Sequence, residues 1–260
     1  MIAARTGTTA TLAPLRERIR QIEAPVRHGV LPFGVAAIDR ALPGGGLALG
    51  AVHEILGQGG DEEDGAAATG FSAAILARLG AGPILWCLKR ADLYGPGLLA
   101  YGLDPSRLVL VRAARDDDIA WAVEEGLRTP GLAAVVGEIG RLAMVAGRRL
   151  QLAAERSGVP ALLLRRWRNA TEAAAERGRP SAAVSRWRIA ALPSLDIAGE
   201  PGIGRPRWRV ELLRVRGGTP ALWDVEVADA TGHVSLSAEL ADRPAAPARP
   251  ETLQPLRRAG

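Results

Sequence analysis

Cysteine is nearly missing from this chain of 260 residues: Cys87 stands alone. No internal disulfide can form, a reducing compartment is expected, and the apolar run "PILWCL" around Cys87 makes a buried, inert thiol the default. Histidine is almost as rare. His28, His53 and His233 lie far apart with no second ligand at metal spacing, so no metal site is expected. Long apolar runs are lacking too. "MIAARTGTTATLAPLRERIR" has no core for a signal peptide and no later run reaches the length of a membrane span, which leads to the expectation of a soluble, cytoplasmic protein with no membrane contact. Acidic excess is also absent, since 33 basic residues, nearly all arginine, outnumber 28 acidic ones and give a net charge of +5. That balance suits polyanionic partners, although arginine- and alanine-rich composition also characterises proteins encoded by GC-rich genomes. What is plentiful is apolar content: 48% hydrophobic residues at this length argue against wholesale disorder and for one sizeable core.

Three regions follow from the pattern along the chain. In residues 1–28, Leu12, Leu15, Ile19 and Ile22 recur at steps of three and four, followed by Val26, with Arg16, Glu17, Arg18, Arg20 and Glu23 on the other face. Thr11 can cap this helix, Pro14 suits its first turn and Pro25 ends it. The stripe packs on its own domain or forms a partner-binding face. Residues 29–240 form the main domain. The apolar runs "AVHEIL", "PILWCL", "RLVLV", "LAAVV" and "PALLL" read as buried strands, with helices predicted at 66–79, 92–101, 117–128 and 142–156. Continuous apolar strands separated by helices mark an α/β fold with a mainly parallel sheet covered on both faces. Asp116, Asp117 and Asp118 read as caps of the helix that follows. Beyond residue 184, "SRWRIAAL", "RPRWRVELLRV" and "ALWDVEVADATGHVSL" alternate with period two and predict antiparallel strands added at one edge. Residues 241–260, rich in proline and arginine, read as a disordered tail.

The stretch "EILGQGGDEEDGAAATGF", residues 54–71, lies where a strand should hand over to a helix. A phosphate loop there needs glycine amides, a lysine for the β- and γ-phosphates and a Ser or Thr for magnesium. Gly57, Gly59, Gly60 and Gly65 are present, and no lysine follows them. Asp61, Glu62, Glu63 and Asp64 stand in the loop instead, each expected to repel a triphosphate by about 1 kcal/mol per charge pair. The loop therefore reads as unable to hold ATP in the usual way, and no cofactor is expected.

At this point the order of residues resembles a known family. "LPFGVAAIDRALPGGGLALGAVHEILGQGG" is similar to the entry of RecA-type recombinase cores, and the likeness continues over about residues 30 to 230. Within that superfamily the chain resembles the ImuA family, RecA-like accessory proteins of the bacterial damage-inducible mutagenesis cassette, whose members similarly carry "LPFGV-x-x-ID-x-ALPGGGL" at the front and "W-x-VE...DATG" near the end. Matched position by position, the phosphate-loop lysine and threonine have no counterpart between Gly65 and Thr69. The catalytic glutamate falls on Arg90, the Walker B aspartate on Gly137 with Glu138 one step beyond, and the γ-phosphate-sensing glutamine on Arg166. The two lysines that reach a neighbour's nucleotide fall on Arg214 and Arg216, the candidate interprotomer residues.

The second DNA-binding loop of the recombinase fold is replaced by "RRWRNATEAAAERGRPSAAVSR". Arg165, Arg166, Arg168, Arg177 and Arg179, with Arg186 beyond them and Trp167 between, suit a phosphate backbone and a stacked base, so they are the candidate DNA-binding residues; a solvated basic loop with Trp167 against the sheet is the alternative. Two functions compete. One is a non-enzymatic adaptor that helps recruit an error-prone polymerase complex to damaged DNA. The other is a divergent ATP-binding, DNA-dependent ATPase. The resemblance implies, as partners, an ImuB-type relative of the Y-family polymerases, an error-prone polymerase III alpha-type subunit, RecA and single-stranded DNA.

Overall fold

The computed structural model describes residues 28–167, 169–194 and 206–237. The stripe Leu12, Leu15, Ile19 and Ile22, the tail from residue 241 and Arg168 lie outside the described residues. A two-stranded antiparallel ribbon, β1 (Val30–Leu31) with β2 (Leu47–Ala48), encloses a short helix α1 (Ala36–Asp39). Here the "LPFGV-x-x-ID" residues show their local purpose. The Asp39 carboxylate accepts the backbone N–H groups of Phe33 (2.6 Å) and Gly34 (3.0 Å), closing the turn that aims Phe33 inward.

The main sheet is built from β3 (Val52–Gly57), β4 (Ile84–Leu88), β5 (Leu108–Arg112), β6 (Ala134–Ile139), β7 (Ala161–Arg165), β8 (Ser185–Leu192), β9 (Arg207–Val215), β10 (Ala221–Glu226) and β11 (Ser235–Leu236). Its order among the described residues is β11-β10-β9-β8-β3-β7-β6-β4-β5. Strands β3 to β8 run parallel, and β9 to β11 extend the sheet antiparallel. All residues of β3, β6 and β7 are buried, as an apolar strand covered on both faces requires. In register, Ile55 of β3 sits between Leu164 of β7 and Trp187 of β8. One expectation changes: β8 is not purely antiparallel. It pairs parallel with β3 and antiparallel with β9, and so joins the two halves of the sheet.

Helix α2 (Asp61–Ala77) covers one face, and α3 (Asp116–Arg128) and α4 (Met144–Ser157) cover the other; α5 (Ala170–Arg177) follows β7. Under α2 the scarce aromatics gather. Phe33, Phe71, Tyr101, Trp187, Trp208 and Trp223 form a chain of ring contacts with centroids 5.4–6.4 Å apart, each pair adding about 0.5–1.5 kcal/mol beyond area burial. Under α3 and α4 lies a second core of Val52, Ile119, Val123, Ile139 and Leu150. Cys87 is buried there, and burial pushes its thiol up to about 12.

Two helix boundaries differ from expectation. The helix expected at 66–79 starts at Asp61, because the acidic residues form its first turn, where carboxylates suit the positive end of the dipole. The helix expected at 92–101 is only a tight 3-10 segment, Gly95–Tyr101, held short by Gly95, Pro96 and Gly97.

Candidate functional site

The turn after β3 positions the site. Gly57 ends the strand, Gln58 to Gly60 form the loop, and α2 starts at once. A helix N-terminus of this kind offers amides to an anion. Here the anion belongs to the chain. The Asp64 carboxylate accepts the N–H of Gly59 (2.8 Å) through Oδ2 and the N–H of Ala191 (3.0 Å) through Oδ1. Further loop amides go to backbone carbonyls, Gln58 N–H to Ile189 (2.9 Å) and Asp61 N–H to Trp167 (3.0 Å). A Cβ on Gly57 would stand 2.9 Å from the Asp64 Cβ, so glycine is needed there to admit the carboxylate.

Arg166, entering from the end of β7, fills the rest. Its Nη1 donates to Asp61 Oδ1 (2.8 Å), its Nε to Glu138 Oε2 (3.2 Å), and its Nη2 to Glu138 Oε1 (3.2 Å) and Thr69 Oγ1 (3.3 Å). Trp86 Nε1 completes the set by donating to Glu138 Oε1 (2.9 Å), while Arg90 approaches Asp61 from outside. Burial disfavours charge on Arg166, but Glu138 and Asp61 outweigh it and hold its pKa above the ordinary arginine value. Gly65 makes room here as well, since a Cβ on it would lie 2.8 Å from Asp61 Oδ1 and 2.9 Å from Arg166 Nη1. The space left between Gly57, Gly60, Gly65 and Trp167 is about 10 Å³. That is close to the volume one water needs.

Beside the filled loop, at the carboxyl ends of β4, β6 and β7, lies an open cleft of about 610 Å³. Its walls carry both signs of charge, already paired. Lys89, the only lysine in the chain, meets Asp116 at 2.5 Å, and Glu176 lies 3.6 Å from Arg165 and 3.3 Å from Arg179. Asp116 is therefore not a cap of its own helix. The N-cap position is Arg115, and the Asp116 carboxylate instead accepts the N–H groups of Gly140 and Arg141, both at 3.0 Å. Burial works against its charge, and hydrogen bonds from Lys89, Arg141 and Gly140 prevail, keeping the carboxyl below its ordinary range. Among the described residues no His, Cys, Asp and Glu cluster could hold a metal ion.

The candidate DNA-binding residues are brought together in part, and among those whose side chains are described Arg165, Arg166 and Trp167 face inward. Arg165 is buried: its Nη1 donates to Glu54 Oε1 (3.0 Å) and its Nη2 to the Gly140 carbonyl (2.8 Å). Arg186 Nε and Ser181 Oγ complete the Glu54 carboxylate at 2.6 and 2.8 Å. Trp167 is buried too, its Nε1 on the Gly140 carbonyl (3.1 Å) and its ring 5.7 Å from the Arg165 guanidinium carbon. The picture of Arg165, Arg166 and Trp167 as an open basic and aromatic surface is corrected accordingly; the acidic residues at 54, 61, 138 and 176 draw them in. Arg179 is exposed. Of Arg177 only the backbone, at the end of α5, is described. A usable signal existed in the sequence: acids inserted into the loop and arginines at Arg90 and Arg166 are complementary changes.

Arg214 and Arg216 lie at the other end of the sheet. Arg214 donates to the Ser181 carbonyl (3.0 Å), and Arg216 lies 3.9 Å from Glu155. Near them a cavity of about 130 Å³ is lined by His28, Leu47, His53, Gln151 and Glu155 among others. His53 is fully enclosed, with Nδ1 on Ser185 Oγ (2.6 Å) and Nε2 on the Ala48 carbonyl (2.8 Å), and burial lowers its pKa to about 4. It is a neutral structural imidazole.

No protein-family model matches the chain. Among curated proteins, Protein ImuA of two Caulobacter vibrioides strains, NA1000 / CB15N and ATCC 19089 / CIP 103742 / CB 15, is similar: each is 42% identical over 228 residues, covering 84% of this chain and 93% of theirs.

Proposed function

The chain belongs to the ImuA family, and from that membership together with the filled loop we propose that it is a non-enzymatic, RecA-like adaptor in SOS-inducible, error-prone translesion DNA synthesis. It helps recruit an ImuB-type protein and an error-prone polymerase III alpha-type subunit to damaged DNA, with RecA and single-stranded DNA as further contacts. One observation supports this reading: Asp64 takes a loop amide and Arg166 pairs with Asp61 in the turn where the resemblance puts phosphate, and about 10 Å³ is left. A triphosphate would have to break the Arg166 ion pairs and then meet Asp61 and Asp64, at about 1 kcal/mol of repulsion for each solvated charge pair. The competing ATPase reading has the cleft of about 610 Å³ in its favour, but its one lysine is held by Asp116.

Titration of the protein with a fluorescent ATP analogue and magnesium tests the proposal. No saturable binding is expected, and the complex with the ImuB-type protein should form equally with ATP and with EDTA alone. Micromolar nucleotide affinity abolished by Gly59→Val, or a partner complex that requires ATP, overturns it.

A further inference from the structure

Helices α3 and α4 lie side by side, pack inward through Ile119, Val123, Leu127 and Leu150, and turn their other flank to solvent. On that flank Trp121, Val145 and Leu152 are 63%, 69% and 53% exposed, although side chains this large are the usual material of a core. They are grouped. Glu124, one helical turn after Trp121, is gripped by Arg149 (Nε to Oε1, 3.3 Å), and Val145 and Leu152 stand one turn before and one turn after Arg149. Each of the three apolar side chains therefore stands one helical turn from a member of the Glu124–Arg149 ion pair, by the neighbour rule for residues three and four apart. Along α4 the same stripe carries Arg148 and Arg156, both exposed, with no ion pair or hydrogen bond to any described residue. Arg128 and Arg149, by contrast, are paired with Glu124 and Glu125.

We propose that this α3–α4 face binds an acidic amphipathic helix of a partner protein. The partner's apolar stripe covers Trp121, Val145 and Leu152, and its carboxylates reach Arg148 and Arg156 on the α4 side. Charge complementarity selects this occupant. Residues 1–27 of the chain itself carry Arg5, Arg16, Arg18, Arg20 and Arg27 against Glu17 and Glu23, and residues 238–260 carry Arg243, Arg249, Arg257 and Arg258 against Glu239, Asp242 and Glu251, so both have the wrong sign. Nucleic acid fits less well. A phosphate backbone offers nothing to Val145 and Leu152 and is charged along its whole length, so it meets Asp117, Asp118 and Glu125 within one turn of Trp121, whereas a helix turns its carboxylates to the α4 side alone. The face extends the adaptor reading without depending on it: nucleotide binding would overturn that reading and leave this surface as it is.

The test uses the full chain and three labelled probes: a synthetic acidic amphipathic helix of about 18 residues, the same peptide with every Glu changed to Lys, and a single-stranded oligonucleotide. The acidic peptide should bind the wild type, and the lysine peptide should not. Trp121→Ala, and Arg148→Glu with Arg156→Glu, should each weaken the acidic peptide by ~10-fold or more, and the double arginine variant should gain binding to the lysine peptide. Equal binding of both peptides, no binding of either, or unchanged affinity in both variants overturns the proposal. Loss confined to the oligonucleotide would do so as well, by assigning the face to nucleic acid.

Discussion

Arg166 and Arg148 carry the same guanidinium, yet the fold treats them in opposite ways. Arg166 is 17% exposed and its donors are spent on Asp61, Glu138 and Thr69; Arg148 stands exposed on α4 without a described partner. Around the loop, charge is closed on itself. On the α3–α4 face, charge and apolar area remain open. The difference separates residues that hold the fold from those available to a partner, a distinction that arginine content alone does not make.

The largest expected effect comes from opening the closed side. Arg165 and Glu54 are 6% and 1% exposed, and removing the guanidinium by Arg165→Met leaves the Glu54 carboxylate buried with only Arg186 and Ser181. Breaking one partner out of a buried ion pair costs about 3–5 kcal/mol, readable as a shift of the urea midpoint. Arg166→Met should cost less, because its site is closer to water. A loss under 1 kcal/mol at Arg165 would break the contrast, for the pair would then be no more structural than a surface one.

The fold was legible because its signal is periodic. Continuous apolar runs and period-two runs produced the strands close to where they lie, and "SRWRIAAL" is β8 itself. The site was legible only by what it lacks. The missing lysine and the inserted acids set this loop apart from a phosphate loop, but did not say that Asp64 binds its amides, because the contact of Asp64 with Ala191 spans 127 residues. Arg165 was misplaced for the same reason, whereas the alternative of Trp167 against the sheet agrees with its burial. A run of arginines around an aromatic reads as surface until Glu54 and Gly140, far away in sequence, are known to face it. The "LPFGV" and "DATG" motifs, which carried the resemblance, are structural. A Cβ on Gly34 would lie 3.7 Å from the His233 ring, and Asp229 accepts the Thr231 N–H at 2.8 Å within its own turn. Both hold local turns.

Beside its ion pairs the interior holds the neutral His53, and pH sharpens the comparison through it. His53 has a folded pKa near 4 against an ordinary 6.5, so the unfolded chain takes up a proton that the folded chain refuses. Stability from this group is complete above pH 6.5, falls as pH drops from 6.5 to 4, and is level below that. The loss across the window is about 3 kcal/mol at about 1.4 kcal/mol per pH unit. Asp116, Asp118, Asp224 and Asp229, all held below 3.8, add their own loss only at lower pH. Urea unfolding at pH 7.5 and 4.5 should therefore show a steep fall in the wild type and a flatter one in His53→Gln, whose stability at neutral pH is already reduced. Parallel profiles would mean that His53 is protonated in the folded chain.

The smallest effects belong to the open face, and their smallness is the point. Trp121 is 63% exposed, so Trp121→Ala removes little buried area and should shift unfolding by no more than about 0.5 kcal/mol. Arg148→Glu should behave alike, since no described carboxylate loses a partner. Arg156 lies in the last turn of α4, where a cation suits the negative end of the helix dipole; reversing its charge should cost slightly more, about 0.3–1 kcal/mol, and less in high salt. Against the 3–5 kcal/mol expected at Arg165, the three substitutions would mark a surface kept for something other than stability. A loss above about 2 kcal/mol on Trp121→Ala would reverse the assignment: the indole would then be covered within the chain, by a segment outside the described residues, and the face would belong with the closed interior.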